Sequence, residues 1–297
     1  MKQSLLIGVA LAVVVLLAGS AIVGEVLSRP VHREIGPAPV DLQAQSISFQ
    51  TGTGSRIAGW MMPGEPGAGA ILLLHGIRSD RRQMLGRARF LHGLGYSVLL
   101  IDLPAHGESE GDRITFGAHE AAGVEAAIAY LATKVPSDPI GVIGVSLGAA
   151  AFVLSKPARA PAAVVLESMY PTIEEATSDR LRHYLGSVGP MFAPALLAQL
   201  PLRAGVPVEQ LRPVVAIAKI TSPVLIVSGS KDHDTPLPET MRIFDAANKP
   251  KELWIVDGAD HVDLHRFARG PYEARIGAFM ARYLRVPLSH AVGEGQG

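Results

Sequence analysis

The chain alternates between short apolar runs and longer segments of helical periodicity over most of its length. Six apolar runs have strand length, at residues 70–74, 97–101, 140–145, 162–166, 223–227 and 252–256, and helix-like stretches lie at 81–94, 117–133, 237–247 and 272–284. The runs are continuously hydrophobic rather than alternating, so we expect helices to cover both faces of each strand. The pattern predicts a doubly wound α/β fold with a mostly parallel sheet.

Two segments depart from this alternation. Residues 46–50 and 56–61 flank a Thr-Gly-Thr-Gly turn sequence and predict a β-hairpin. Residues 171–219 contain helix-like pieces and several prolines instead of a strand. Ligands of open α/β sheets bind beyond the carboxyl ends of the strands. We therefore expect this insertion to form a helical cap over a pocket, with a simple surface excursion as the alternative.

The N-terminal residues differ in kind from the rest of the chain. No residue between Lys2 and Glu25 is charged, and residues 4–24 are dominated by Leu, Val, Ile and Ala. That length is close to the roughly 20 residues that cross a bilayer. Residues 18–20 resemble a signal-peptide cleavage site, but the apolar run continues beyond them. We expect a single-pass N-terminal membrane anchor, with export after signal cleavage or a buried helix as alternatives.

The chain is thus expected to have four parts. These are an N-terminal anchor or signal segment at 1–28, a proline-containing linker at 29–45, an α/β domain at 46–286 with its insertion at about 171–219, and a flexible Gly-rich tail at 287–297.

Composition narrows the classes of function. Lys plus Arg and Asp plus Glu both total 27, so the formal net charge is zero and a nucleic-acid partner is not expected. The chain has no cysteine, which excludes disulfides, a thiol nucleophile and thiolate metal sites. No Asp-rich loop at metal-ligand spacing is present, so we expect neither a metal nor another cofactor. The sequence indicates no oligomeric state.

The most informative motif is Gly144-Val145-Ser146-Leu147-Gly148. It lies between an apolar strand-like run and a stretch of small residues that is typical of a helix. Such a strand–turn–helix places a serine on a strained turn with its hydroxyl exposed, and the glycines avoid collisions with neighbouring backbone. The motif predicts a nucleophile elbow; the alternative is a Gly-rich turn that happens to contain Ser146.

Two further residues follow later strands in the order that serine catalysis requires. Asp232 comes shortly after the run 223–227, and His261 comes shortly after the run 252–256. A serine nucleophile needs a base to take its proton and an acid to orient that base. The order Ser146, Asp232, His261 therefore predicts a catalytic triad. For the acid, Asp234 and Glu167 are alternatives, and His265 is the alternative base.

These motifs resemble those of serine esterases of the α/β-hydrolase superfamily, and the likeness extends over about residues 46–284. Residues 166–168 with the aromatic-Pro turn after them, and residues 217–225, are similar to a membrane-anchored and lipolytic branch that includes monoacylglycerol-lipase-like and serine-aminopeptidase-like hydrolases. His75-Gly76-Ile77 resembles the family's His-Gly turn. The resemblance implies that the backbone N–H groups of Ile77 and Leu147 form the oxyanion hole.

The resemblance is weaker in the loop 102–109, which is similar to the family's Asp-x-Arg-Gly-x-Gly-x-Ser loop. Pro104 and Ala105 replace the usual Arg-Gly, and His106 occupies a position often held by a small or polar residue. We expect Asp102 to anchor the loop and His75 to stabilise its turn. His106 has two interpretations, as a pocket residue or as a partner of backbone carbonyls.

A run of arginines on the helix predicted at 81–94 has two interpretations. A solvated basic face is the expectation, and contact with anionic lipid head groups is the alternative. The residues are Arg81, Arg82, Arg87 and Arg89.

The sequence predicts a serine hydrolase that cleaves small carboxylic esters through an acyl-enzyme. Lipid or acyl esters are an option because the insertion carries several apolar residues, namely Met191, Phe192, Leu196, Leu197 and Leu200. A thioesterase and a peptidase or amidase would use the same three residues. A haloalkane dehalogenase would need Asp at position 146, and the Ser in this chain argues against that activity. A non-catalytic binding protein that retains the fold is a further alternative.

Overall fold

The computed structural model of the protein describes residues 2–285, and an eight-stranded sheet forms the centre of the fold. The tail predicted at 287–297 lies outside the described residues. The strands are β1 (Val31–His32), β2 (Gln45–Gln50), β3 (Arg56–Met62), β4 (Ala70–Leu74), β5 (Ser97–Ile101), β6 (His106–Gly107), β7 (Ile140–Val145), β8 (Ala163–Glu167), β9 (Val224–Gly229) and β10 (Lys251–Val256).

The sheet is mostly parallel, as the sequence predicted. Its strand order is β10-β9-β8-β7-β4-β5-β3-β2. The six strands from β10 to β5 run parallel, whereas β3 is antiparallel to both of its neighbours. The hairpin expected at 46–61 is confirmed as the β2–β3 pair. The short strands β1 and β6 form a separate parallel pair.

Helices surround the sheet. They are α1 (Lys2–Ser28), α2 (Leu85–Gly93), α3 (Glu120–Lys134), α4 (Leu147–Leu154), α5 (Ile173–Leu185), α6 (Ala193–Leu197), α7 (Leu200–Ala204), α8 (Pro213–Ala216), α9 (Leu237–Ala246), α10 (Leu264–Phe267) and α11 (Arg269–Leu284). Short 3₁₀ turns cover Val40–Leu42, Arg81–Met84, Gly186–Phe192, Val208–Gln210 and Ile217–Lys219.

Two apolar cores lie on opposite faces of the sheet. Alternate residues of β4 enter different cores: Leu72 and Leu74 pack with α3, α4 and α9, whereas Ile71 and Leu73 pack with α2, α10 and α11. Both faces of the strand are thus removed from water, which stabilises the fold in proportion to the apolar area buried. This double coverage explains why the strands are continuously hydrophobic in sequence.

The prediction of a solvated basic face on the helix at 81–94 is wrong for Arg81 and Arg87, which are both about 1% exposed. Arg87 shares the buried face with Met84, Ala88 and Leu91, at the three- and four-residue spacing of a helix. Both buried guanidinium groups are paired with carboxylates. Of the four arginines in this run, Arg82 and Arg89 are exposed.

The insertion between β8 and β9 is helical and contacts the loop that follows β9. Arg180 of α5 lies 2.8 Å from Asp234, and Arg242 of α9 pairs with Glu175. Leu196 and Leu200 are buried, whereas Met191 is exposed. Two of the apolar residues that suggested an acyl pocket therefore contribute to packing.

The predicted N-terminal helix is present as α1. Within residues 2–285, no helix combines the length and apolar character needed to cross a membrane, so the predicted membrane span is not supported. The carboxyl-terminal end of α1 packs on the rest of the protein. Arg203 of the insertion donates to the Ala21 carbonyl at 2.7 Å, and Gln199 donates to Ser20.

A carboxyl pair lies where the insertion meets α9. Glu239 of α9 faces Asp179 of α5, and neither Glu239 Oε2 nor Asp179 Oδ2 has a hydrogen-bond partner among the described residues. Burial, reinforced by the neighbouring Asp179 carboxyl, raises the pKa of Glu239 to about 8. Glu239 is therefore largely protonated at neutral pH.

We expect Glu239→Gln to stabilise the protein at high pH and to have little effect at low pH. The pKa of Glu239 is raised from 4.5 to about 8, so its contribution to stability is full below 4.5 and is lost as pH rises through about 8. Thermal unfolding measured at about pH 5 and about pH 9 tests this. The exposed Glu209 provides the control Glu209→Gln. A larger effect of Glu239→Gln at the lower pH would contradict the assignment.

Candidate active site

The motif 144–148 forms a sharp turn between β7 and α4. Ser146 has φ 49° and ψ −109°, a backbone conformation that costs free energy in a residue other than glycine. A Cβ at Gly144 would lie 2.6 Å from the Ala149 nitrogen, and one at Gly148 would lie 2.5 Å from the Leu74 carbonyl oxygen. Both glycines are therefore required by close backbone packing, as the sequence predicted.

The turn is held from the neighbouring strand. The Ser146 N–H donates to the Glu167 carbonyl at 2.8 Å. The next N–H, that of Leu147, begins α4, and the structure shows no acceptor for it among residues 2–285. This N–H is available to a ligand beside Ser146.

A second turn, at residues 75–78, lies against the first. A Cβ at Gly76 would be 3.8 Å from the Ser146 Cβ. Gln83 Oε1 accepts the Gly76 N–H at 2.8 Å, and His75 Nδ1 lies 2.7 Å from the Gly76 carbonyl oxygen. The Ile77 N–H, between these fixed groups, has no acceptor in the described part of the chain. Ile77 and Leu147 thus each present one unused backbone donor.

Two buried histidines support this turn in their neutral forms. His75 Nε2 accepts the Leu103 N–H at 3.0 Å, so the ring proton is on Nδ1, which donates to Gly76. Burial lowers the pKa of His75 to about 3, and burial also lowers the pKa of His106. Neither ring is positioned as a general base; the expectation that His75 stabilises its turn is confirmed.

Asp232 and His261 contact each other beyond the ends of β9 and β10. His261 Nδ1 lies 3.0 Å from Asp232 Oδ2 and 3.1 Å from Oδ1. Asp232 also accepts from the N–H groups of Asp234 and Thr235 and from the Thr235 hydroxyl. Burial acts to raise the pKa of Asp232, but the hydrogen bonds from His261 and Thr235 outweigh it and hold that pKa below its usual value.

The alternative acids and base have other partners. Asp234 pairs with Arg180, and His265 pairs with Glu273 at 3.0 Å. Glu167 is buried against Arg87. Of the alternatives left open by the sequence, the structure brings together Asp232 and His261. Within residues 2–285 no hydrogen bond joins Ser146 to His261.

Behind the site lies a buried network of charged side chains that the sequence analysis did not predict. Arg87 Nη2 lies 2.6 Å from Glu167 Oε2, and Arg87 Nη1 lies 2.9 Å from Asp263 Oδ1, two residues after His261. The Tyr272 hydroxyl donates to Glu167. Arg87 thus connects the residue that holds the Ser146 N–H to the loop that carries His261. Arg87 lies at helical spacing among apolar residues, and this position is the sequence signal that would have identified it as buried.

Asp102 anchors its loop, as expected. Asp102 Oδ1 accepts the Arg81 N–H, and Oδ2 accepts the Glu108 N–H, both at 2.8 Å. The Arg81 guanidinium binds the carboxylates of Asp102 and Glu108 and lies 4.7 Å from the Trp60 ring centroid. Burial raises the pKa of Asp102 in spite of the adjacent Arg81 charge. This cluster fixes the loop that contains His106.

Comparison with known proteins identifies the family. The model of the family described as "Alpha/beta hydrolase family" matches residues 71–271. The chain belongs to the α/β-hydrolase family. An uncharacterized protein of Mycobacterium tuberculosis is 33% identical over 77% of this chain and 77% of its own length. Human alpha/beta hydrolase domain-containing protein 17B is 28% identical over 79% of this chain and 74% of its own length.

Solved structures show the same α/β-hydrolase fold. The esterase Pf2001 of Pyrococcus furiosus superposes with a TM-score of 0.72 at 22% identity, over 87% of this chain and 98% of that chain. An esterase from Exiguobacterium antarcticum superposes with a TM-score of 0.60 at 15% identity, over 79% and 99%. The recognition of the superfamily from the elbow, acid and base motifs is confirmed.

Proposed function

We propose that this α/β-hydrolase is a serine hydrolase of carboxylic esters, with Ser146 as nucleophile, His261 as base and Asp232 as the residue that orients the base. The family membership and the fold shared with esterases support the hydrolase class. The observation that carries the proposal is the Asp232–His261 pair beyond the strand ends, together with the elbow that holds Ser146 beside two unused N–H groups.

The proposed reaction is acyl transfer in two steps. His261 Nε2 takes the Ser146 proton while Oγ attacks the ester carbonyl. Asp232 accepts a hydrogen bond from the Nδ1–H and stays ionised, which keeps Nε2 free to act as the base and stabilises the imidazolium that forms. The N–H groups of Ile77 and Leu147 bind the oxyanion. The alcohol leaves with the proton from His261, and water then hydrolyses the acyl-enzyme by the same route.

The proposal is limited to esters as a class. Thioesters and amides would react through the same groups. The lipid option loses support because Leu196 and Leu200 pack internally. Two surface cavities of about 410 and 490 Å³ lie near Arg56 and Tyr130 and contain none of the proposed catalytic residues, so they do not define a substrate pocket.

A fluorophosphonate probe tests the proposal directly. The probe forms a covalent bond only with a serine whose hydroxyl is activated by a base. We expect labelling of the full chain at Ser146, located by peptide mass spectrometry, and loss of labelling in His261→Gln. The control His265→Gln removes a histidine that pairs with Glu273 instead of Asp232, and it should still be labelled. An unlabelled wild-type chain would favour the non-catalytic alternative.

A further inference from the structure

The residue after Ile77 has three hydrogen-bond partners that are distant in sequence. Arg78 has φ 57°, in the left-handed region. Its N–H donates to His106 Nε2 at 3.1 Å, and its carbonyl accepts from Arg33 Nη2 at 3.1 Å. Its guanidinium donates to the Val26 carbonyl at 2.9 Å. Two of these three partners belong to the N-terminal segment.

The third partner, His106, is itself held by that segment. The Val31 N–H donates to the Ala105 carbonyl at 2.8 Å, and the Arg33 N–H donates to the Gly107 carbonyl at 2.9 Å. His106 lies between these two bonds, opposite Val31 in the β1–β6 pair. His106 Nδ1 lies 2.9 Å from the Pro104 carbonyl oxygen, which leaves Nε2 as the acceptor for Arg78.

The end of α1 is fastened to the domain next to these contacts. Glu25 pairs with Arg113 at 2.8 Å and with Arg203 of the insertion at 2.5 Å. The Ile114 N–H donates to the Ser28 carbonyl at 2.9 Å. The contacts of Val26 and Arg33 with Arg78 are therefore made by a segment that is anchored to the catalytic domain.

We propose that His106, Arg78 and Arg33 are positioning residues for the oxyanion hole. Arg33 and His106, together with the Val26 carbonyl, hold Arg78 and so set the direction of the Ile77 N–H. This inference rests on the proposed function. The peptide plane after Ile77 is fixed by His106, and the plane before it is fixed by His75 through Gly76. With both planes fixed, the Ile77 N–H cannot rotate away from the place where the oxyanion forms.

A positioning role predicts a specific kinetic signature. An oxyanion donor acts mainly in the transition state, so its misplacement lowers kcat with little change in KM. Loss of a buried acceptor also leaves the Arg78 N–H unsatisfied, which favours rotation of the turn. A residue that only stabilised the fold would instead lower the melting temperature and leave kcat of the folded enzyme unchanged.

The experiment compares His106→Leu, His106→Gln and Arg33→Met in the full chain, with a p-nitrophenyl ester as substrate. We expect His106→Leu to lower kcat about 10- to 100-fold at nearly constant KM, as for a displaced oxyanion donor. Gln has a side-chain oxygen that can accept the Arg78 N–H, so His106→Gln should recover most of kcat. Arg33→Met should lower kcat about 3- to 10-fold, since it removes the hydrogen bond of a charged donor to the Arg78 carbonyl, together with the Arg33–Asp80 ion pair.

Arg29→Met is the matched control. Arg29 is in the same segment and pairs with Glu25, but it makes no hydrogen bond to the turn at 75–78 in the described chain. It should keep wild-type kcat. Thermal unfolding of each variant establishes that the measured enzyme is folded.

The outcomes separate the two proposals. Wild-type kcat in folded His106→Leu and Arg33→Met would overturn the positioning role while leaving the serine mechanism intact. A wild-type chain that neither hydrolyses the ester nor reacts with the fluorophosphonate would overturn the proposed function itself. If His106→Leu does not fold, Arg33→Met and His106→Gln decide the question: equal kcat in wild type and Arg33→Met would refute coupling to the N-terminal segment.

Discussion

Replacing Ser146 by alanine is expected to lower kcat for ester hydrolysis by about 10⁴-fold or more, because no other group in the site would form the acyl-enzyme. The fold should be retained, since the Ser146 N–H bond to Glu167 uses only the backbone. Steady-state hydrolysis of a p-nitrophenyl ester, with protein concentration high enough to detect the residual rate, measures the effect.

The matched control is Ser155→Ala. Ser155 lies beyond the other end of α4, and its hydroxyl donates to the Phe152 carbonyl at 2.6 Å. This variant should keep wild-type kcat although it also removes one hydroxyl from a residue that flanks α4. Unchanged hydrolysis in Ser146→Ala would refute Ser146 as the nucleophile.

Replacing Arg87 by methionine should lower the free energy of unfolding by about 3–5 kcal/mol, the usual cost of leaving a buried charge without its partner. Glu167 would remain buried, with the Tyr272 hydroxyl but without a cation beside it. Urea denaturation monitored by circular dichroism measures the change. Asp263 would also lose its partner in the loop of His261.

Arg89→Met provides the comparison on the same helix. Arg89 is exposed and pairs with the exposed Asp41, and a surface ion pair contributes at most about 1 kcal/mol. We expect the loss of stability to be several times larger for Arg87 than for Arg89. Equal decreases in the free energy of unfolding would show that the buried Arg87 network stabilises the protein no more than a surface ion pair does.

Much of the fold was predictable because its strands are covered on both sides. Each parallel strand lies within two residues of its predicted bounds, since continuous hydrophobicity marks a strand between two helical layers. Helix ends were less predictable. The helix expected at 81–94 begins with a 3₁₀ turn and ends at Gly93.

Buried polar groups were less predictable than apolar ones. Residue type predicts a solvated face for Arg81 and Arg87, because isolated charges avoid the interior. Both are stabilised there by carboxylates distant in sequence: Arg87 by Glu167, eighty residues away, and Arg81 by Asp102. Pairing over such separations is a property of the folded chain, so local pattern does not reveal it.

The sequence by itself determined the mostly parallel sheet, the strained serine turn and the order of Ser146, Asp232 and His261, because each depends on hydrophobic periodicity or on residue type at a strand end. Tertiary structure alone decided that Asp232, rather than Asp234 or Glu167, contacts His261. It also decided that the end of α1 and the segment that follows it contact Arg78. These choices depend on which loops meet at the edge of the sheet, and that is set by strand order and by contacts between residues far apart in the chain.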